Sequence, residues 1–178
     1  MREVRKFYLL LHPRPAYIIG SGLVGERVNF MAASWVTPVA EEPPLVGVAI
    51  DVTSYTHELI IKYGEFTVNV LPLSRINDIY YFGSRSGRNE DKSSRLGYRK
   101  GSKVSAPVLL DAVGILECKV SHSIKANDVT FFIGEVVEAE ADEEVFDERI
   151  GWKTLKAKIP LHNWGKLFYD IGRAHRVE

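Results

Sequence analysis

Tyr17-Ile18-Ile19-Gly20-Ser21-Gly22-Leu23-Val24-Gly25-Glu26-Arg27-Val28-Asn29-Phe30-Met31-Ala32-Ala33-Ser34-Trp35 is the stretch on which the architecture turns. Gly20 to Gly25 spells G-x-G-x-x-G behind the strand-like run Ala16–Ile19, the fingerprint of a pyrophosphate seated on a helix N-terminus. Val24, Val28, Met31 and Trp35 would then form a helical stripe, with Leu45–Ile50 as the next strand and Asp51 as its ribose-binding acid. The same residues also make a β-hairpin. Val28, Phe30 and Ala32 alternate against Asn29, Met31 and Ala33, and glycines serve a tight turn without any ligand. The helix would lack an end before Pro38, and strands rather than βα units dominate after residue 100. These features favour the hairpin and leave the fingerprint as the alternative.

Further along, turn signals divide the chain into short pieces. Leu45–Ile50 reads as a fully buried strand. Phe66, Val68 and Val70 alternate with Thr67 and Asn69, as do Leu116, Cys118 and Val120 with Glu117 and Lys119, the period of half-buried strands. Val129, Phe131 and Ile133 begin a long strand reaching about Ala139. Two helices interrupt the pattern. Tyr55, Leu59, Ile60 and Tyr63 share one face, with Ser54 or Thr56 as N-cap and Gly64 as stop. Ser74, after Pro72, can cap a second helix whose Ile76, Ile79 and Tyr80 face inward. Ser84–Lys103 is polar and reads as an exposed loop. Glu138–Glu148 is an acidic, solvated run, and the tail Trp152–Val177 mixes aromatic and basic residues. The expected fold is one mainly β domain with a few short helices, its strands closed into a barrel so that their edges are satisfied.

The 178 residues carry 23 Lys+Arg against 23 Asp+Glu, and this zero net charge argues against a nucleic-acid binder. No apolar run approaches the roughly 20 residues that cross a bilayer, and Phe7–Leu11 is too short for a signal-peptide core, so no membrane partner is expected. The single cysteine, Cys118, has no disulfide partner and suits a reducing, cytoplasmic setting. One Cys, two Met and no Gln hint at a hot habitat.

Three polar clusters fit an anionic, aromatic ligand. The first is Ala33-Ser34-Trp35-Val36-Thr37, a strand end with two hydroxyls ahead of Pro38. The second is Asp51-Val52-Thr53-Ser54-Tyr55-Thr56-His57, three hydroxyls at the start of a helix whose free N–H groups and dipole attract anions. The third is Ser84-Arg85-Ser86-Gly87-Arg88 with Lys92, where a helical turn would put Arg88 and Lys92 on one face. Each has a plainer reading as cap, solvated loop or strand-end packing, and it is the combination that points to a phosphate. The five His have no zinc-like spacing and no serine nucleophile elbow is present.

Several segments resemble the flavin reductase-like family, closest to its flavoredoxin-like members. They are His12-Pro13-Arg14-Pro15, Asn29 to Trp35, Pro43-Pro44-Leu45-Val46, Gly64 to Leu71, Ser86-Gly87-Arg88 with Asp91-Lys92, and Asn127 to Val136. The resemblance implies an FMN-binding split β-barrel of Greek-key type, its core over about 12–140 and a C-terminal extension over 141–178. It implies a homodimer with the flavin near the subunit interface, and it turns Gly20–Gly25 into a hairpin. Ser34, Trp35, Val36 and Thr37 would border the ring and ribityl chain. Asp51, Ser54, Thr56, Ser84, Ser86, Arg88 and Lys92 would hold the ribityl-phosphate end. FMN is favoured over FAD. NAD(P)H would pass hydride to the flavin N5, and electrons would go on to oxygen, a free acceptor or a partner protein. No catalytic acid or base is then required. Val129 stands where many NADH-using members have His, which bears on the nicotinamide step; the alternatives are an FMN electron carrier and a non-catalytic ligand-binding barrel. Trp164 and Phe168, at i and i+4, are expected either as a lid over the flavin or in core or dimer packing.

Overall fold

The structure, a computed structural model, describes residues 3–154 and 156–172; the remainder of the charged start, Leu155, and positions 173–178 of the tail lie outside the described residues. The elements run β1 (Arg14–Pro15), β2 (Tyr17–Leu23), β3 (Arg27–Ala33), β4 (Val36–Ala40), β5 (Leu45–Asp51), α1 (Tyr55–Tyr63), β6 (Glu65–Val70) and α2 (Ile76–Ser84). There follow β7 (Tyr98–Lys100), β8 (Pro107–Leu109), β9 (Gly114–Ala126), β10 (Val129–Ala141), β11 (Phe146–Asp147), β12 (Gly151–Trp152), β13 (Leu161–Trp164) and β14 (Leu167–Tyr169).

The glycine-rich stretch is a hairpin. β2 and β3 pair antiparallel from Tyr17↔Ala33 to Leu23↔Arg27, and Gly25 in the turn has φ 100°, where glycine is favoured. Gly20 has a different reason to lack a side chain. A Cβ there would fall 2.3 Å from the Pro107 carbonyl oxygen and 2.4 Å from Thr67 Oγ1, because β8 crosses the strand at this point. The motif serves close packing, and no helix follows it.

Seven strands form one sheet in the order β3-β2-β6-β9-β10-β5-β4. Its two edge strands, β3 and β4, are consecutive in the chain yet share no ladder. The barrel is therefore split, not closed as the edge argument predicts. The reason lies at Trp35, whose carbonyl already accepts from Ala49 N–H on β5 at 3.0 Å, carrying the chain away from β3. Inside the barrel Ile19, Val48, Ile50, Phe66, Val68, Cys118 and Phe132 pack with Ile60 of α1. A second core, with Ile18, Phe30, Leu71, Ile79, Phe82 and Leu109, sits between the outer face of β2–β3 and α2. Each fully buried Phe there contributes about 1.5–3 kcal/mol.

Two strands expected to be half-buried are covered on both faces. Thr67, Asn69 and Glu117 are all 0% exposed. The segment Gly101–Leu109 lies over them: Thr67 Oγ1 donates to Pro107 O (2.6 Å), and Asn69 Oδ1 accepts from Leu109 N–H (2.8 Å). Alternating polarity here marks polar groups with buried partners, not a solvent face.

Helix α1 begins and ends as its sequence predicts. Ser54 Oγ accepts from His57 N–H at 3.1 Å, and Gly64 closes the helix with φ 68°. The reading of α2 needs correction. Ser74 lies inside a 3-10 turn, Leu73–Arg75, and caps nothing. The buried face is Asp78, Ile79 and Phe82, with Tyr80 turned outward, because Phe82 enters the second core and Asp78 pairs with Arg95 at 2.7 Å.

Candidate functional site

Lys92 organises the segment that follows α2. The loop is not simply exposed: Lys92 is 3% exposed, and its ammonium donates to the carbonyls of Phe82 (3.2 Å) and Arg85 (3.0 Å), at the helix C-terminus where a cation is favoured. Burial pulls its pKa down to about 8, against the opposing pull of Glu90. Anchored in this way, residues 85–91 fold back over β3 and the start of α1.

There the second and third polar clusters meet. Asn29 of β3 donates from Nδ2 to Thr56 Oγ1 at 2.8 Å, with both side chains buried. Gly87 lies directly above, and a Cβ on it would fall 2.2 Å from Asn29 Oδ1 and 2.9 Å from the Tyr55 ring. The Arg88 guanidinium sits 5.3 Å from the Tyr55 ring centre and pairs with Glu58 at 2.6 Å, while its backbone N–H donates to Ser86 Oγ at 3.3 Å. Arg27 approaches the same ring at 6.0 Å. Ser54 Oγ is engaged by His57 N–H, but the N–H groups of Tyr55 and Thr56 have no protein acceptor among the described residues. Two free helix N–H groups beside a guanidinium make an anion site.

The first cluster divides. Ser34 lines a cavity of about 430 Å³ with Tyr80, Gly83, Ser84, Trp164 and Phe168. Trp35 stands beside it, its ring 6.1 Å from Tyr8, which in turn lies 5.5 Å from Trp164. Val36 and Thr37 instead face a separate groove at the barrel end, and Thr37 Oγ1 donates to Pro38 O. Asp51, exposed at the end of β5, accepts from the Thr53 hydroxyl (2.6 Å) and N–H (2.7 Å), which hold its carboxyl below the usual range. The structure thus gathers Thr56, Ser86 and Arg88 in one place and Ser34 and Ser84 in another. It sets Val36, Thr37 and Asp51 apart, and Lys92 behind the loop.

The edge strand β3 joins the two places. Asn29 underlies the anion site, and Ala32 lies beneath Gly83, where an added Cβ would come 3.2 Å from the Ala32 Cβ. Among the described residues β3 pairs only with β2, so the peptide groups of its outer edge are free to hydrogen-bond a flat ligand. Trp164 and Phe168 are not on a helix; they belong to the hairpin β13–β14, with His162 opposite Phe168 and Phe168 packed on the second core. Sequence reasoning did not single out Asn29, Tyr8 or Tyr80 for this site. A lone Asn between Val28 and Phe30 was the available signal for the first.

The donor set fits a flavin mononucleotide-like ligand. Asn29 Oδ1 is a buried acceptor without a partner among the described residues, Gly87 lets the loop pack directly on it, and the aromatic-walled cavity is within the roughly 300–1,000 Å³ of ligand sites. Among the described residues no three His, Cys, Asp or Glu side chains cluster for a metal, and burial pushes the Cys118 thiol up to about 12, too high for a nucleophile.

Known proteins resemble this chain in sequence and in fold. The family described as "Flavin reductase like domain" matches residues 9–172. An uncharacterised protein of Pyrococcus abyssi is 33% identical over 172 residues, covering 96% of this chain and 98% of its own length. A ferric-chelate reductase (NAD(P)H) of Archaeoglobus fulgidus is 29% identical over 89% of this chain and 94% of its own. Among solved structures, flavoredoxin from Methanosarcina acetivorans superposes with a TM-score of 0.90 at 25% identity, covering 99% of this chain and 94% of its own. An FMN-binding protein from Thermus thermophilus gives 0.88 at 26% identity over 100% and 97%. The family match extends past residue 140 into the C-terminal extension, whose β13 pairs with β1.

Proposed function

Because the chain belongs to the flavin reductase-like family, we propose that it is an FMN-dependent oxidoreductase that accepts electrons from NAD(P)H and passes them to a separate acceptor. A flavin-linked redox role is common to the family, and the NAD(P)H in the name of the Archaeoglobus relative supports the electron source. The observation that carries the reading is the meeting of Gly87 and Arg88 with the free N–H groups of α1, one strand away from an aromatic-walled cavity. FMN supplies the redox chemistry when bound; the chain supplies position and electrostatics. The N–H groups of Tyr55 and Thr56, with Arg88 and Ser86, hold the phosphate. The free outer edge of β3 would bond the part of the molecule between the two places, with Asn29 holding Thr56 and Gly87 together beneath it. Ser34 and Ser84 would bond a ring in the cavity, and Tyr80, Trp164 and Phe168 would exclude water from it. Lys92 supports the phosphate loop from behind.

An FMN titration with three variants tests the site. Arg88→Ala removes a charge-assisted bond of about 1.5–3 kcal/mol and should raise the FMN dissociation constant about tenfold or more. Glu58→Gln releases Arg88 from an exposed ion pair and should tighten FMN by roughly two- to fivefold. Lys92→Met should weaken FMN and also lower the melting temperature, because two helix-end carbonyls lose their donor. Unchanged affinity in Arg88→Ala rejects the phosphate site.

One observation favours a second reading, an FMN electron carrier without its own nicotinamide step. Val129 lies opposite Asp51 where β10 begins, and this aliphatic side chain has no group to bond a nicotinamide. FMN that stays oxidised in excess NADH and NADPH would support it.

A further inference from the structure

The aromatic-walled cavity beside Ser34 carries charge of one sign at its mouth. Lys166 Nζ stands 5.7 Å from the ring centre of Tyr80, and Lys6 Nζ 5.3 Å from that of Trp164, so two walls of the cavity each hold an ammonium over a ring. Arg14 lies opposite His162, another lining residue, across the β1–β13 pair. None of these three cations has a carboxylate partner among the described residues, and no Asp or Glu lines the cavity. Asp170, just after β14, is taken by Lys158. The whole chain has no net charge, so this is arrangement rather than composition. The separate groove beside Val36 and Thr37 shows the reverse, with Glu140, Glu143, Asp147 and Glu148 along it.

Around the same mouth, aromatic surface is left open. Trp164, Trp35 and Tyr80 are 48%, 39% and 36% exposed, and the Tyr8 ring bridges the two tryptophans. Flat apolar faces in solvent beside fixed positive charge recognise a molecule that is itself flat and negative. Its ring stacks on the aromatic faces while its anionic group meets the ammoniums. A neutral ring would leave the cations without a counter-charge, and a cationic one would be repelled.

We propose that this mouth receives the electron acceptor, and that the acceptor is a flat aromatic anion. Its ring lies against Trp164 and Tyr80, and its carboxylate or sulfonate meets Lys6 and Lys166. The inference rests on the FMN reading of the cavity and adds the chemistry of the acceptor to it. For an acceptor of quinone type, a hydride leaves reduced FMN, which becomes oxidised FMN, and with one proton from water it converts the quinone to the hydroquinone. Charge of one sign around the opening also raises the local concentration of such anions, an effect that salt screens.

Two comparisons test this. Naphthalene sulfonate and naphthalene methanol, a redox-inert pair of which only the first is charged, are titrated calorimetrically into the chain with and without FMN. The sulfonate should bind roughly tenfold tighter, and that preference should vanish in a Lys6→Gln, Lys166→Gln chain. Both lysines are exposed and lie outside the phosphate site, so the fold and the FMN affinity of this variant stay unchanged. In the second comparison, reduced FMN on the chain is oxidised by naphthoquinone sulfonate or by neutral menadione in a stopped-flow mixer. The double variant should slow the sulfonate about tenfold and leave menadione as it was. Failure of FMN to bind would sink the cofactor reading, while the anion preference is still read on the FMN-free chain. Equal binding of the two naphthalenes, or a preference that survives in the double variant, would overturn the inference.

Discussion

A Glu117→Ala chain is expected to lose about 3–5 kcal/mol of stability, a large effect for one side chain in a strand. Glu117 is 0% exposed, and its carboxylate accepts backbone N–H groups from Ser102 (2.7 Å), Lys103 (2.6 Å) and Val104 (3.2 Å). Alanine leaves three N–H groups without this acceptor, that of Val104 buried, and opens a void, so residues 102–104 lose their anchor. Burial alone would push this carboxyl up; the N–H bonds of Lys103, Ser102 and Val104 more than offset it and leave it below its ordinary value. A carboxyl depressed in the folded state stabilises the protein fully above the ordinary carboxylate pKa. That contribution is lost as pH falls through the folded value. Glu117→Gln should therefore lose less than alanine does and should flatten the acid limb of the stability curve. Urea unfolding from pH 7 down to pH 3 measures both. A loss below about 1 kcal/mol for Glu117→Ala would contradict the buried-anchor account.

Gly20→Ala should cost about 2–3 kcal/mol while leaving the FMN affinity of the folded chain unchanged. The added methyl meets a backbone carbonyl, Pro107 O, and Thr67 Oγ1, and these two atoms are themselves hydrogen-bonded at 2.6 Å. Neither can yield without parting β8 from β6. If the glycines instead approached a pyrophosphate, the substitution would spare stability and weaken the nucleotide. Thermal melting and FMN titration on the same sample separate the two.

The hairpin and α1 were legible because local chemistry and tertiary packing agree there, whereas the split of the barrel was implied only by the family resemblance, the residues themselves pointing to closure. Ser54 and Gly64 bracket α1, and β3 alternates cleanly. Legibility failed where a second layer covers the sheet. Thr67, Asn69 and Glu117 look like a solvent face, since nothing local announces that residues 101–109 return to bond them. For the same reason Ser84–Lys103 reads as exposed: the bonds of Lys92 are to main-chain carbonyls ten and seven residues earlier, which no side-chain pattern records. Within the site, hydroxyls and cations stand out in the sequence. Which of them converge depends on the turn at Trp35, which sends Ser34 toward the aromatic-walled cavity and Thr37 toward the separate groove.

The most direct test of the whole account is a single anaerobic cuvette. The chain is first titrated with FMN to saturation, and NADH or NADPH is then added while the visible absorbance of the flavin is followed. The account predicts saturable binding of one FMN per chain, weakened by Arg88→Ala. It further predicts bleaching on addition of one of the nicotinamides, matched by its oxidation. FMN whose spectrum and fluorescence the protein never perturbs would contradict it.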